Sequence, residues 1–245
     1  MAQLSKAQKA PGRLGPFALC VEDLSKAVMA LVDENKRFVE EFANPHSWLM
    51  MADDLHEQAT TIYENRNRSS ILTKVNASGE ILQQTRLIDK SVFLLGGFAL
   101  ENAIKAFLVY ENPSWISNGR LSTKLRSHSL SGLQKQSKLI PYKTRHIHVL
   151  EAFESGLDSW FRYPCAVAVQ DTKQESPLFD HLWVSYGKVM CAYGKKLRTL
   201  LNKGWNGPHS TYGRWTFQGE TLGYSPAQNS PMTLRLEDTK GKASR

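Results

Sequence analysis

A few residues of this chain are placed so that they could share a charge or move a proton. Glu101 and Lys105 stand four apart in ALENAIKAFL, so they face the same side of one helix. His128 follows in the polar turn His128-Ser129-Leu130, and Arg162 opens Arg162-Tyr163-Pro164. A carboxylate in so apolar a helix is costly unless a cation meets it, and Arg162 and His128 are the candidates. In one arrangement Glu101, Lys105 and Tyr163 form a structural polar cluster that locks helix ends together. In another, Arg126, His128 and Arg162 make an anion pocket, since a guanidinium matches phosphate oxygens in pairs. In a third, His128 or His148, with Arg126 or Arg162, supplies acid–base chemistry.

Familiar catalytic signatures are missing: the chain has no GxGxxG, no GxxxxGKS/T, no HExxH and no GxSxG. His146 and His148 are two apart and point in different directions on a helix. His148 and Glu151 could share a face, but two ligands do not make a metal site. No metal or cofactor is expected. Asp53-Asp54 and Glu40-Glu41 read as solvated helix faces.

The net charge of +8 is unevenly spread. Seven basic residues and no acid fall between Pro113 and Leu150, and five and no acid between His181 and Lys203. Such asymmetry suggests a side that faces a polyanion, or else a solubilising surface. The candidate phosphate contacts are Arg120, Lys124, Arg126, His128, Lys143, Arg145, Arg162, Lys195 and Lys196. Trp115 lies beside them in a loop and could stack on a base. Trp160, Phe161, Tyr163 and Trp183 could stack as well, but at helical spacing aromatics belong more often to a core.

The elements that must position these residues are helical. The stretch Leu82–Tyr110 repeats apolar residues at Ile88, Val92, Leu95, Ala99, Ala103 and Ala106, and the stripe is wide enough to predict a central, mostly buried helix. Gly96-Gly97 in its middle predicts a close neighbouring helix or a kink. Glu101, Asn102 and Lys105 argue against a membrane span. Before it, Phe17, Val21, Leu24, Val28, Leu31 and Val32 step as one helix, and Asn44-Pro45 ends that segment. Ser47–Glu64 reads as a second helix and Asn65–Gly79 as a polar loop. A short segment follows from His128, a helix from about Lys143 to Trp160, and a last long helix from Pro177 to Lys203.

The expected fold is therefore all-α, an up-and-down antiparallel bundle over 16–203, with a flexible 1–15 and an irregular 204–245. Tyr212–Phe217 and Met232–Leu236 could make a small hairpin in that tail. No heptad pattern runs long enough for an extended coiled coil. A hydrophobic fraction of 41% suffices for a core. Three scattered cysteines and the absence of a secretory h-region predict a cytoplasmic protein.

The order of these motifs resembles the HEPN superfamily, named for higher eukaryotes and prokaryotes nucleotide binding. The shared pattern is a Glu and a Lys in one core helix, a His-x-Leu turn and an Arg-Tyr-Pro turn before the last helix. It covers roughly Ser47–Lys203. The resemblance implies a HEPN-like bundle, usually a homodimer, that binds RNA or nucleotides and serves in toxin–antitoxin or antiviral systems. Ribonuclease members carry an Arg followed, after four to six residues, by a His. No arginine here fits: Arg120 to His128 leaves seven residues between, and Arg37 to His46 leaves eight. The missing motif favours a binding protein over an enzyme. The alternatives are a metal-independent endoribonuclease with a non-standard site, and an interaction subunit whose 204–245 tail meets a protein partner.

Overall fold

The computed structural model describes residues 21–86, 88–158, 162 and 180–226. It is mostly helical. Helix α1 (Val21–Arg37) runs into a π-helical turn, Phe38–Ala43, and α2 spans Pro45–Asn65. A hairpin of β1 (Ile71–Val75) and β2 (Ile81–Arg86) precedes α3 (Asp89–Glu111). Two-residue strands β3 (Ile116–Ser117) and β4 (Arg120–Leu121) pair next, followed by α4 (Leu130–Gln136), α5 (Ile147–Asp158) and α6 (Asp180–Lys203). Strands β5 (Trp205–Asn206) and β6 (Tyr212–Gly213) pair after the last helix.

Local chemistry sets the joints. The Asn44 side chain accepts from the Ser47 N–H at 2.9 Å and caps α2, while Pro45 occupies a first-turn position that needs no N–H. The same amide donates to the Val39 and Glu40 carbonyls, closing the π-helical turn. Helix α3 is the hub: it packs most extensively on α2 and also meets α4, α5 and α6. It is long and apolar enough to span a bilayer, but 78% of its most apolar window is buried inside the fold.

The two mid-helix glycines are explained by close approach, with no need for a kink. A Cβ on Gly96 would lie 3.1 Å from Phe153 and 3.3 Å from Trp183, and one on Gly97 would lie 2.9 Å from Leu157. Helices α5 and α6 therefore press directly against the α3 backbone. Trp183 is 3% exposed and stacks on Tyr186 at 4.5 Å, so it belongs to the core and not to a base-stacking surface.

The structure corrects several sequence expectations. The central helix begins at Asp89 rather than Leu82, because Ile81–Arg86 pairs as a strand with Ile71–Val75 inside what reads as a loop. Asn76 organises that hairpin: its side chain accepts from the Ser78 and Glu80 N–H groups, and Gly79 takes φ +86°. Every β1 residue is exposed, so the strand has no buried face to impose a clear period of two. The α1 stripe does not face the core either, as Val28, Leu31 and Val32 are 59%, 57% and 49% exposed. Helix α5 begins at Ile147 rather than Lys143.

The tail lies on the bundle as far as it is described. Arg198 on α6 donates to the carbonyls of Gly219 (2.7 Å) and Phe217 (3.0 Å) and to the Thr221 hydroxyl (2.9 Å). The Leu222 N–H donates to Asp53 on α2 at 2.6 Å, and Trp215 stacks on His46. Leu222 is fully buried. The partner of the Tyr212 strand is Trp205–Asn206; Met232–Leu236 lies outside the described residues.

The close α3–α5 approach makes a direct prediction. Gly97→Val should lower stability by about 1–3 kcal/mol, the usual cost of overpacking. Gly187→Ala on α6, where a Cβ meets nothing within 4 Å, should be neutral or raise it by up to about 1 kcal/mol. Denaturant melts of the two variants beside the parent chain check this.

Candidate functional site

Glu101 and Lys105 occupy the same face of α3, and both are nearly dry at 5% and 4% exposure. The Lys105 ammonium donates to Glu101 Oε1 at 2.6 Å and sits 5.6 Å from the centre of the Trp48 ring. The second oxygen, Oε2, lies 3.0 Å from His128 Nδ1. One carboxylate thus bridges an ammonium inside the fold and an imidazole at its surface, where the His128 side chain is 55% exposed. Lys105 supplies the cation that Glu101 requires, and the His128 ring adds a hydrogen bond.

The turn carrying His128 is clamped from the other side. The Ser129 hydroxyl accepts from the Gly132 N–H, which caps α4, and donates to Glu154 Oε1 on α5 at 2.8 Å. The Ser131 N–H donates to the other Glu154 oxygen, also at 2.8 Å. The Arg162 guanidinium lies 5.7 Å from the Phe98 ring, one helical turn before Glu101. Tyr163 lies outside the described residues. His148 is exposed at the start of α5 and makes none of the cluster's bonds. Among the described residues, no three His, Cys, Asp or Glu side chains gather as a metal would need.

The basic candidates fall into separate groups. Trp115, Arg120 and Lys124 come together where the chain leaves α3. Ser117 and Arg120 pair across Asn118 (φ +50°) and Gly119 (φ +64°), a two-residue turn with both residues left-handed. Ile116 is buried and anchors the hairpin, and the Ser122 N–H donates to the Trp115 carbonyl at 2.7 Å. The hairpin and its flanks line an open hollow of about 510 Å³, bordered by Trp115, Ser117, Arg120 and Leu121. The Lys124 ammonium stands 4.8 Å from the centre of the Trp115 ring.

A second group surrounds His146, whose pKa is lowered by burial first and then by the charges of Arg145, His148 and Lys188. Here the 113–150 and 181–203 basic segments meet. The remaining candidates are placed differently. The Lys143 ammonium is bonded to the Ser137 carbonyl beside the end of α4. Lys195 is exposed, its ammonium 5.8 Å from the Tyr224 ring, and Lys196 is half-buried on the same helix. Arg126 is exposed beside the buried Leu125.

The Asn118-Gly119 pair between Ile116 and Leu121 is a hairpin signal that the charge count obscures. The Ser129–Glu154 clamp has no such signal, since its partners are 25 residues apart. No family model, curated protein or solved structure matches this chain.

Breaking a buried pair from one side strands the other charge. Glu101→Gln alone, or Lys105→Met alone, should cost about 3–5 kcal/mol. The double variant, which removes both charges, should recover most of that loss. Denaturant unfolding of all three measures it; a double variant as unstable as the singles would contradict the pairing.

Proposed function

We propose that this chain is a HEPN-like nucleic-acid-binding protein that takes single-stranded RNA at the Trp115 hollow. The observation that carries this reading is an open surface hollow bordered by the Trp115 indole and Arg120, with the Lys124 ammonium 4.8 Å from the same indole ring. An indole face accepts any base, and the two cations suit the phosphates on either side. In this reading Glu101 and Lys105 are structural.

A gel-shift titration with labelled single-stranded RNA tests it. Affinity should fall steeply as salt rises, because neutralised phosphates release counterions. Trp115→Ala should weaken binding by about 1–3 kcal/mol, the range for one stacked base. Arg120→Glu with Lys124→Glu should weaken it further and flatten the salt slope. Lys143→Ala should leave binding unchanged, since its ammonium serves Ser137. Salt-independent binding, or binding indifferent to Trp115, would overturn the reading.

One observation favours a second reading, a metal-independent ribonuclease. A buried carboxylate on Nδ1 holds a histidine proton there and leaves Nε2 as the base, which is the orientation acid–base chemistry needs. Under that reading RNA is cut with EDTA present, and His128→Ala abolishes cutting while His148→Ala does not. RNA left intact by the parent chain removes it.

A further inference from the structure

We propose that Ser117 reads the ribose 2′-hydroxyl of a strand held at the Trp115 hollow and so makes the site selective for RNA over single-stranded DNA. This rests on the hollow being a nucleic-acid site, as proposed above. Stacking on an indole and pairing of phosphates with cations serve DNA as well as RNA. A group that meets the sugar is what tells the two apart.

The register of the β3–β4 hairpin supplies such a group. Ser117 pairs directly with Arg120, and Ile116 with Leu121. Directly paired residues project to the same side of a hairpin, and successive residues along a strand to opposite sides. Ile116 is fully buried, so Ser117 and Arg120 share the outward side, and both are exposed. Pairing alone sets their β-carbons about 5 Å apart. The Ser122 N–H donates to the Trp115 carbonyl at 2.7 Å, which carries the pairing one residue further. Trp115 precedes Ser117 by two positions, about 7 Å along an extended chain. All three side chains border the same hollow. Indole, hydroxyl and guanidinium therefore follow one another in the order base, sugar, phosphate.

The other hydroxyls of the hollow are placed differently. That of Ser122 accepts from the Lys124 N–H at 3.3 Å and caps the turn Thr123–Arg126. Ser114 has no place in the ladder that pairs with Arg120. The Ser117 hydroxyl has no hydrogen-bond partner, and Arg120 no ion pair, among the described residues. None of the described residues lining the hollow is acidic. A phosphate on Arg120 brings its ribose beside Ser117, because the 2′-hydroxyl and the 3′-phosphate leave neighbouring carbons of one ring. A serine hydroxyl can both donate to that group and accept from it.

A fluorescence-anisotropy titration of the full chain tests this with three strands of one sequence: RNA, DNA with uracil for thymine, and 2′-O-methyl RNA. RNA should bind about three- to tenfold more tightly than DNA, the worth of one net hydrogen bond. The 2′-O-methyl strand keeps the ribose but cannot donate, and should bind like DNA. Ser117→Ala should abolish the difference by weakening RNA alone, and Ser117→Thr should keep it. The side chain is exposed and unpartnered, so both variants should fold. Trp115→Ala should weaken all three strands alike. Equal affinity for RNA and DNA, lost with Trp115→Ala, leaves the hollow a nucleic-acid site and overturns the role of Ser117. A preference for RNA that survives Ser117→Ala also overturns it, since the sugar is then read elsewhere. No strand bound, or binding indifferent to Trp115, removes the nucleic-acid site itself and this proposal with it.

Discussion

Glu101 is ionisable and sits where almost no water reaches it. Burying such a group costs several kcal/mol unless partners replace the water, so its surroundings cannot be arranged freely. Lys105 supplies one partner from the next turn of the same helix, and His128 supplies the other from the loop before α4. That second bond fixes the loop against α3, and Ser129 and Ser131 fix its far side to α5 through Glu154. Three helices are thereby held in one register by two carboxylates. The basic hairpin at Trp115 leaves the same α3, so its position is set by the same frame.

How much of this was legible follows from how each feature writes itself into sequence. The core of α3 is plain, because a helix buried on most sides carries apolar residues all round. The glycine pair announces a close approach, and Leu157, Phe153 and Trp183 meet it. The need of Glu101 for a cation follows from its setting; Lys105 on the same helix meets it, while His128, one of the two candidates, contributes a hydrogen bond. The hairpin at Ile71–Arg86 was hidden because β1 is exposed along its whole length, and Leu82 reads as easily into the helix that follows. The fate of the tail was also hidden. Arg198 counts as one more positive charge, yet tail carbonyls and a hydroxyl take up its guanidinium. Charge counts locate a basic segment but do not tell which of its cations already have partners.

That distinction organises the functional argument. Arg198 and Lys143 are drawn into the fold, while Arg120 and Lys124 remain beside an indole at the surface. His56 shows the opposite extreme of the same balance: burial against Tyr186 drives its pKa down to about 4, so it stays neutral where surface histidines begin to charge. Binding is therefore sought among residues that have kept their exposure, and stability among those that have lost it. His128 stands at the boundary, with one ring nitrogen held by Glu101 and a side chain half in water.

The most direct measurement is ultraviolet crosslinking of the full chain to single-stranded RNA, with the crosslinked peptide identified by mass spectrometry. The account predicts adducts on the segment containing Trp115, Arg120 and Lys124, lost when Trp115 is replaced by alanine. Adducts confined to the His128 turn, or to peptides far from the hollow, would contradict it.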